Sequence, residues 1–287
     1  MSGLVLKPEH ELCPKDKIML DLTRRTLLSA SLALTTVLAA ALPATAQQKS
    51  IKVGVMSGAE EEVAQVVKKV AAGKGLSVEL VPFSDYALVN EALERKDLDA
   101  NAFQHKPYLD AQIAARGYKI VPVGFTFVQP IGLYSKKVKA VADLPKGAKI
   151  GIPNDPSNGG RALNLLAQEG VIKIKEGKGL SPSLLDIAEN PKGVQFSELD
   201  AAQLPRALPD LDAAVINTDH ALNAGLDIRK DTIAVEKREG NPYANFVAAR
   251  QGDENRPEIK TFVESYQSPE VAKFLDERFK GAIIPAW

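Results

Sequence analysis

The 287-residue sequence holds one cysteine, one tryptophan and three histidines, and its formal net charge is zero. The single cysteine, Cys13, sits ahead of the first long apolar run, so no disulfide framework and no thiol chemistry is expected downstream of it. His105 and His220 are the only histidines beyond residue 46, and no H-E-x-x-H occurs, so a His/Cys metal centre is poorly supplied. Neither a G-x-S-x-G elbow nor a Walker loop is present. Carboxylates are plentiful but fall mostly on faces expected to be solvated, where their pKa values are rarely tuned for acid–base work. No metal, no cofactor and no enzyme activity is therefore expected. Lys+Arg and Asp+Glu are 36 each, which leaves no basic excess of the kind nucleic-acid binding requires.

What is present begins with an export signal. Arg24 and Arg25 precede an apolar run from Leu27 to Leu42, and Pro43 leads into Ala44-Thr45-Ala46, a small-residue exit followed by the polar Gln47-Gln48-Lys49-Ser50. These are the three regions of a secretory signal, with cleavage expected after about Ala46. An uncleaved anchor is the alternative, but the run is short against the ~20 apolar residues a bilayer span needs. Met19 would begin a signal of ordinary length, so residues 1–18 read as lying ahead of the true start. Thr23-Arg24-Arg25-Thr26-Leu27-Leu28 resembles a twin-arginine signal, and an ordinary Sec signal with two arginines fits equally well. Residues 1–46 are thus read as an N-terminal extension plus a cleaved signal. Their removal takes five Lys/Arg and four Asp/Glu from the 36 of each and leaves 31 against 32. No cysteine stands at the boundary to take a lipid, and nothing later resembles a membrane span, so a soluble mature chain is expected.

The remaining chain alternates strands and helices. Ile51–Met56 and Leu76–Phe83 read as strands, and Glu60–Ala72, with Val63, Val66, Val67 and Val70 at helical spacing, reads as a helix stopped at Gly73. Asp85–Arg95 is a second helix. Strands are expected at Lys119–Phe127, Ile131–Tyr134, Lys149–Ile152, Leu211–Ile216, Ile233–Glu236 and Phe246–Ala249. Helices are expected from Asp155 to about Glu169, at Leu180–Ala188, at Ala201–Leu208, and over Pro257–Phe279 with a break near Ser268-Pro269. This β-α-β-α pattern defines an α/β class. Without a flexible linker it suggests two lobes, 47–130 with 240–287 and 131–239, around a cleft of the kind that holds small ligands.

Four segments stand out chemically. In Asp97–Leu109 helical periodicity breaks off, and Phe103, His105 and Tyr108 cluster without an obvious core period. Such rings suit an apolar side chain that needs flat walls, or they plug the core beneath a turn. In Pro153–Leu163 a strand runs through a Pro/Asn/Ser/Gly turn into a helix start, with Arg161 read in the first turn. Free backbone N–H groups and a guanidinium fork there would grip a carboxylate, and an anion would relieve the conflict between arginine and helix dipole. A solvated or surface-paired arginine is the alternative. Asn217 ends a buried-looking strand, and Asn245 follows a Pro turn. Each amide offers a donor and an acceptor to the polar head of an amino acid, and each is also a common turn former.

These segments resemble the methionine-binding proteins of ABC importers, the NLPA lipoprotein family. The resemblance rests on D-L-D-A-N-A-F-Q-H-K-P-Y-L-D, G-Y-K-I-V-P-V-G, Y-S-K-K, P-N-D-P-S-N-G-G-R-A-L, A-E-N-P-K, Q-L-P-R-A-L, A-V-I-N-T and Y-Q-S-P-E-V, and it runs from Ile51 to Trp287. It implies a type II periplasmic-binding fold with two α/β lobes around a ligand cleft. It further implies that Tyr86 and Phe103 sandwich a thioether side chain, and that His105 and Tyr108 line the same pocket. Arg161 would pair with the ligand carboxylate, and Asn217 and Asn245 would bind the carboxylate and amino group. The implied role is a monomeric carrier that hands L- or D-methionine to a membrane permease and its ATPase. Another amino acid or a short methionine peptide is the alternative ligand, and an enzyme acting on an amino-acid derivative or a surface adhesin is the rival class. Two departures from the family pattern bear on this. The lipid-bearing cysteine is replaced by A-T-A-Q-Q, which implies a freely diffusing periplasmic protein, and His220 stands where tyrosine is common, close enough to Asn217 to alter ligand choice.

Overall fold

The computed structural model describes residues 49–287. The expectations placed on Cys13, Met19, the twin arginines and the cleavage site after Ala46 lie outside the described residues.

The chain opens with β1 (Lys49–Met56), α1 (Ala59–Gly73), β2 (Leu76–Phe83), α2 (Tyr86–Glu94), β3 (Ala100–His105), α3 (Lys106–Arg116) and β4 (Ile120–Phe125). It continues through β5 (Phe127–Val128), β6 (Gly132–Tyr134), β7 (Lys149–Pro153), α4 (Pro156–Gln168), β8 (Lys173–Ile174), β9 (Ile187–Glu189) and β10 (Gln195–Leu199). It closes with α5 (Leu204–Ala207), β11 (Ala213–Ile216), α6 (Thr218–Asn223), β12 (Thr232–Val235), β13 (Asn245–Arg250), α7 (Pro257–Tyr266), α8 (Pro269–Phe279) and β14 (Ile284–Pro285). One five-stranded sheet has the order β2-β1-β3-β13-β4 and a second has the order β10-β7-β11-β6-β12. β1 is parallel to β2 and β3, whereas β13 runs antiparallel to β3 and β4. In the second sheet β7 is parallel to β10 and β11, and β6 is antiparallel to β11 and β12. The strands of the first sheet thus come from residues 49–125 and 245–250, and those of the second from 132–235.

Each sheet is held by residues whose pattern foretells burial on both faces. Val53–Met56 in β1 and Ala213–Ile216 in β11 are buried without alternation, as expected of strands covered on both faces. On α1 the stripe Val63, Val67 and Ala71 recurs every four residues and packs on β1 together with Phe262 and Leu275. That apolar cluster continues through Leu204, Ala214, Ile216 and Ala221, so one core joins the two sheets. Pro257–Phe279 divides into α7 and α8 at Ser268, whose hydroxyl accepts from the Val271 N–H at 3.3 Å and caps the second helix.

The structure corrects the reading in three places. Leu180–Ala188 is not a helix: a single tight turn at Leu184–Asp186, closed by Ser183 and Asp186, passes into β9. Leu185 is 84% exposed, so these leucines form no stripe that burial would reward, and without burial so short a helix does not nucleate. Ala100–His105, where only a break in helical periodicity was legible, is a strand buried along its whole length, and α3 follows at once. Its polar residues are satisfied internally. Asn101 donates to Asn90 Oδ1 at 3.0 Å, and Gln104 donates to Asn90 Oδ1 at 2.7 Å and to Asn101 Oδ1 at 3.0 Å. Third, Arg161 is the sixth residue of α4, not part of its first turn, because Asp155 caps the helix and Pro156 opens it.

The paired glycines of α4 serve close packing. A Cβ on Gly160 would meet Ser181 Cα at 2.7 Å and Leu180 O at 3.0 Å, and one on Gly159 would meet Pro153 O at 2.8 Å, all backbone atoms. Gly160→Ala should therefore destabilise the protein by about 1–3 kcal/mol through overpacking, although alanine is the better helix former by about 1 kcal/mol. Urea denaturation checks this, and a variant as stable as wild type would show that the 180–181 strap yields freely.

Candidate functional site

The strand ends and helix starts that face each other between the sheets line a partly open cavity. Its walls come from the carboxyl ends of β3 and β11 and the segments that follow them, together with α4 and the start of β13, where open α/β sheets place ligands. Three helices begin at this level with side-chain caps. Asp85 accepts from Ala87 N–H at 2.8 Å, His105 Nδ1 accepts from Tyr108 N–H at 3.2 Å, and Asp155 accepts from Asn158 N–H at 2.9 Å. Capping fixes where each helix starts, and thereby where Tyr86, Tyr108 and Arg161 point. All seven residues singled out in the sequence, Tyr86, Phe103, His105, Tyr108, Arg161, Asn217 and Asn245, line this one cavity.

One end is aromatic. Tyr86 and Phe103 have ring centroids 6.0 Å apart and are tilted by 35°. Tyr108 stands edge-on to both, at 6.0 and 5.8 Å. Carbon contacts need about 3.5–4.0 Å on each side of an inserted atom, so two rings 6.0 Å apart admit nothing between them. The expected sandwich is instead a three-ring corner against which an apolar side chain can lie. His220 packs behind Tyr86 at 4.8 Å and is absent from the cavity lining, so it backs the wall without facing the space beside Asn217.

The other end is polar. Arg161 is 3% exposed. Its Nε donates to Glu236 Oε1 at 2.9 Å, and its Nη2 donates to Glu236 Oε2 at 2.5 Å and to Gln129 O at 2.9 Å. Its guanidinium lies 4.1 Å from the centroid of Tyr243. Nη1 makes no hydrogen bond among the described residues. The two-point pairing foreseen for a ligand carboxylate is thus taken by Glu236, and Nη1 is the donor left over. Asn158 organises the neighbours: its Oδ1 receives Asn217 Nδ2 at 2.9 Å and His105 Nε2 at 3.3 Å, while its Nδ2 donates to Asp155 at 2.9 Å. Asn245 Nδ2 donates to Phe103 O at 3.1 Å. Asn217 Oδ1 is left buried with no partner among the described residues, an arrangement that costs about 1–3 kcal/mol unless something donates to it.

Burial, and secondarily the charge of Arg161, lowers the His105 pKa to about 3. With Nδ1 accepting from Tyr108 N–H, the ring proton sits on Nε2, directed at Asn158. A neutral imidazole so reluctant to take a proton is a poor general base at neutral pH, and no metal-ligating cluster occurs among the described residues. Sequence reasoning missed Asn158, Gln129, Thr218 and Gln104 in the lining, and Glu236, Tyr243 and Asp219 around it. Gln104 and Asn158 lay inside segments already singled out. Their roles depend on partners from other parts of the chain, which local pattern does not reveal.

Two α/β sheets with one polar-ended cavity between them, reached by loops at the strand ends, define a solute-binding protein of the type II periplasmic-binding fold. The chain belongs to the NlpA lipoprotein family, whose sequence pattern matches residues 51–287. It is 52% identical over 240 residues to the D-methionine-binding lipoprotein MetQ of Escherichia coli K12, covering 83% of this chain and 88% of that protein. It is 50% identical over 242 residues to Lipoprotein 28 of the same organism, covering 83% and 89%. A nutrient-binding protein from Burkholderia cenocepacia, solved bound to methionine, superimposes with a TM-score of 0.81 at 54% identity, covering 83% of this chain and all of that one.

Proposed function

We propose that this chain binds methionine, in its L or D form, in the cavity between the sheets and delivers it to an ABC importer. The observation that carries the reading is the make-up of that cavity: an aromatic corner, and in the same lining an unpartnered acceptor, Asn217 Oδ1, and the Arg161 guanidinium. A zwitterion with an apolar tail complements both ends. Its ammonium would donate to Asn217 and Asn245, its carboxylate would accept from Arg161 Nη1, and its sulfur would lie against Tyr86, Phe103 and Tyr108. Sulfur–aromatic contacts contribute about 0.3–1.5 kcal/mol. The names of the MetQ relative and of the methionine-bound Burkholderia cenocepacia structure support the same ligand and describe binding proteins, and a carrier of this kind needs no catalytic residue, metal or cofactor.

The two lobes are 47–130 with 240–287 and 131–239, and the ligand bridges them. A monomer closed on its ligand would be recognised by the permease, with ATP hydrolysis left to the partner ATPase. The protein is exported and released into the periplasm after cleavage near Ala46. Among the described residues no helix is long and apolar enough to cross a membrane. The test is calorimetry with L-methionine, D-methionine, leucine and glycyl-methionine, alongside mass spectrometry of ligand released from freshly purified protein. Methionine should bind more tightly than leucine by about 1–3 kcal/mol, the discrimination a one-group difference in an apolar pocket allows. Binding of none of the methionine forms, or release of an unrelated molecule, overturns the reading.

A further inference from the structure

Asp219 is a buried carboxylate that the binding reading leaves unused. It lies in α6 of the second sheet's segment, is 1% exposed, and does not line the cavity. Among the described residues it has no lysine or arginine within ion-pairing distance, only the adjacent His220 at 3.8 Å. A buried charge without a counterion is expensive to maintain. Its hydrogen-bond donor is the phenol of Tyr86, which reaches both carboxylate oxygens at 2.7 Å from the other sheet's segment. Short phenol–carboxylate contacts of this kind are among the stronger hydrogen bonds. The same helix grips the first segment a second time, where Asn223 Nδ2 donates to Ser57 O at 2.8 Å and Asn223 Oδ1 accepts from Ala59 N–H at 3.1 Å. Glu60, in the first turn of α1, brings no positive charge to offset it, and burial and the nearby Asp219 push the Glu60 carboxyl well above the usual range.

We propose that Asp219 is a positioning residue for the ligand: without touching it, Asp219 fixes the Tyr86 ring in the aromatic corner and latches the two lobes over the occupied cavity. The inference rests on the binding reading above, with Tyr86 as the link. A latch acts on the closed complex, so it governs escape of the ligand and leaves encounter unchanged.

Stopped-flow kinetics with methionine test it. Tyr86→Phe, which keeps the ring and removes only the hydroxyl, should raise the dissociation rate constant at least about tenfold, the scale of one charge-assisted hydrogen bond, with association unchanged. Asp219→Ala should match it, and the double variant should be no worse than either single one, because both remove the same bond. Asp219→Asn, which still offers Oδ1 to the phenol, should recover most of the loss. Wild-type dissociation from Tyr86→Phe, or additive effects in the double variant, overturns the latch. A purely structural Asp219 would instead lower the melting temperature of ligand-free protein at an unaltered dissociation rate. If Asp219→Ala does not fold, Tyr86→Phe and Asp219→Asn decide the matter alone. Wild-type protein that does not bind methionine overturns the binding reading and not the latch. The latch is then decided by spin-label distances between the lobes in protein as purified, which Tyr86→Phe must widen and which, if unchanged, refute it.

Discussion

Arg161→Ala should weaken methionine binding by about 2–5 kcal/mol, the usual effect of truncating a buried, hydrogen-bonded charge. Two losses add up in that figure. The Nη1 donors vanish from the polar end of the cavity, and Glu236, with a side chain only 11% exposed, loses its counterion. Glu236 would retain the Ile131 N–H at 3.2 Å and Asn241 Nδ2 at 2.8 Å, which stabilise a carboxylate only in part. The ligand-free protein should therefore also melt earlier, since breaking a buried pair commonly destabilises by about 3–5 kcal/mol. The two effects separate in a second variant. Arg161→Ala combined with Glu236→Gln removes the stranded charge, so stability should recover while affinity stays low. Calorimetry and thermal melts read both. Affinity that returns together with stability would show that Arg161 acts on the ligand only by holding the fold, and unchanged affinity in the single variant would remove it from the site.

That experiment matters because Arg161 is where sequence and structure part most instructively. The strand, turn and helix around it are legible, since Asp155 and Pro156 announce a helix start. Its ion pair is not, because Glu236 lies 75 positions away and nothing in either segment names the other. The aromatic cluster was legible as chemistry but not as structure. Asn101 and Gln104 make β3 look too polar for a buried strand, and only Asn90, brought in from α2, shows how they are satisfied. Asp219 was hidden for the same reason, because its donor Tyr86 arrives from the facing segment. Local rules gave most of the elements, the α/β class and, in the cavity, Phe103, His105, Tyr108, Arg161, Asn217 and Asn245, whereas Tyr86 came only from the family resemblance. Pairings between distant segments decide which charges are already spoken for.

His105 and Glu60 place two buried titrations of opposite sign in one molecule, and their opposition predicts the response of stability to pH. The His105 ring, facing Arg161, Asn158, Tyr108 and Tyr243, has a folded pKa of about 3 against an ordinary 6.5. Between those values the unfolded chain binds a proton that the folded one refuses. Stability from this group is complete above 6.5 and declines as pH falls, by about 1.4 kcal/mol per pH unit. The Glu60 carboxyl, facing Asp219, Tyr86 and Tyr266, is raised above 4.5 by burial and then by Asp219. Its contribution is complete below 4.5 and declines as pH rises through the folded value. Between pH 4.5 and 6.5 the two groups act in opposite directions, so Glu60 offsets part of the histidine's slope in the wild type. Glu60→Gln should uncover the histidine, with stability falling about 1.4 kcal/mol for each unit of acidification across that window. His105→Asn keeps an acceptor for the Tyr108 N–H and should reverse the slope, gaining stability on acidification. Asp155, also raised by burial, is common to all three proteins and drops out of the differences. Denaturant melts at half-unit steps measure the three profiles, and a Glu60→Gln curve parallel to wild type would mean that the Glu60 carboxyl is ionised in the folded protein, with a donor or cation beside it.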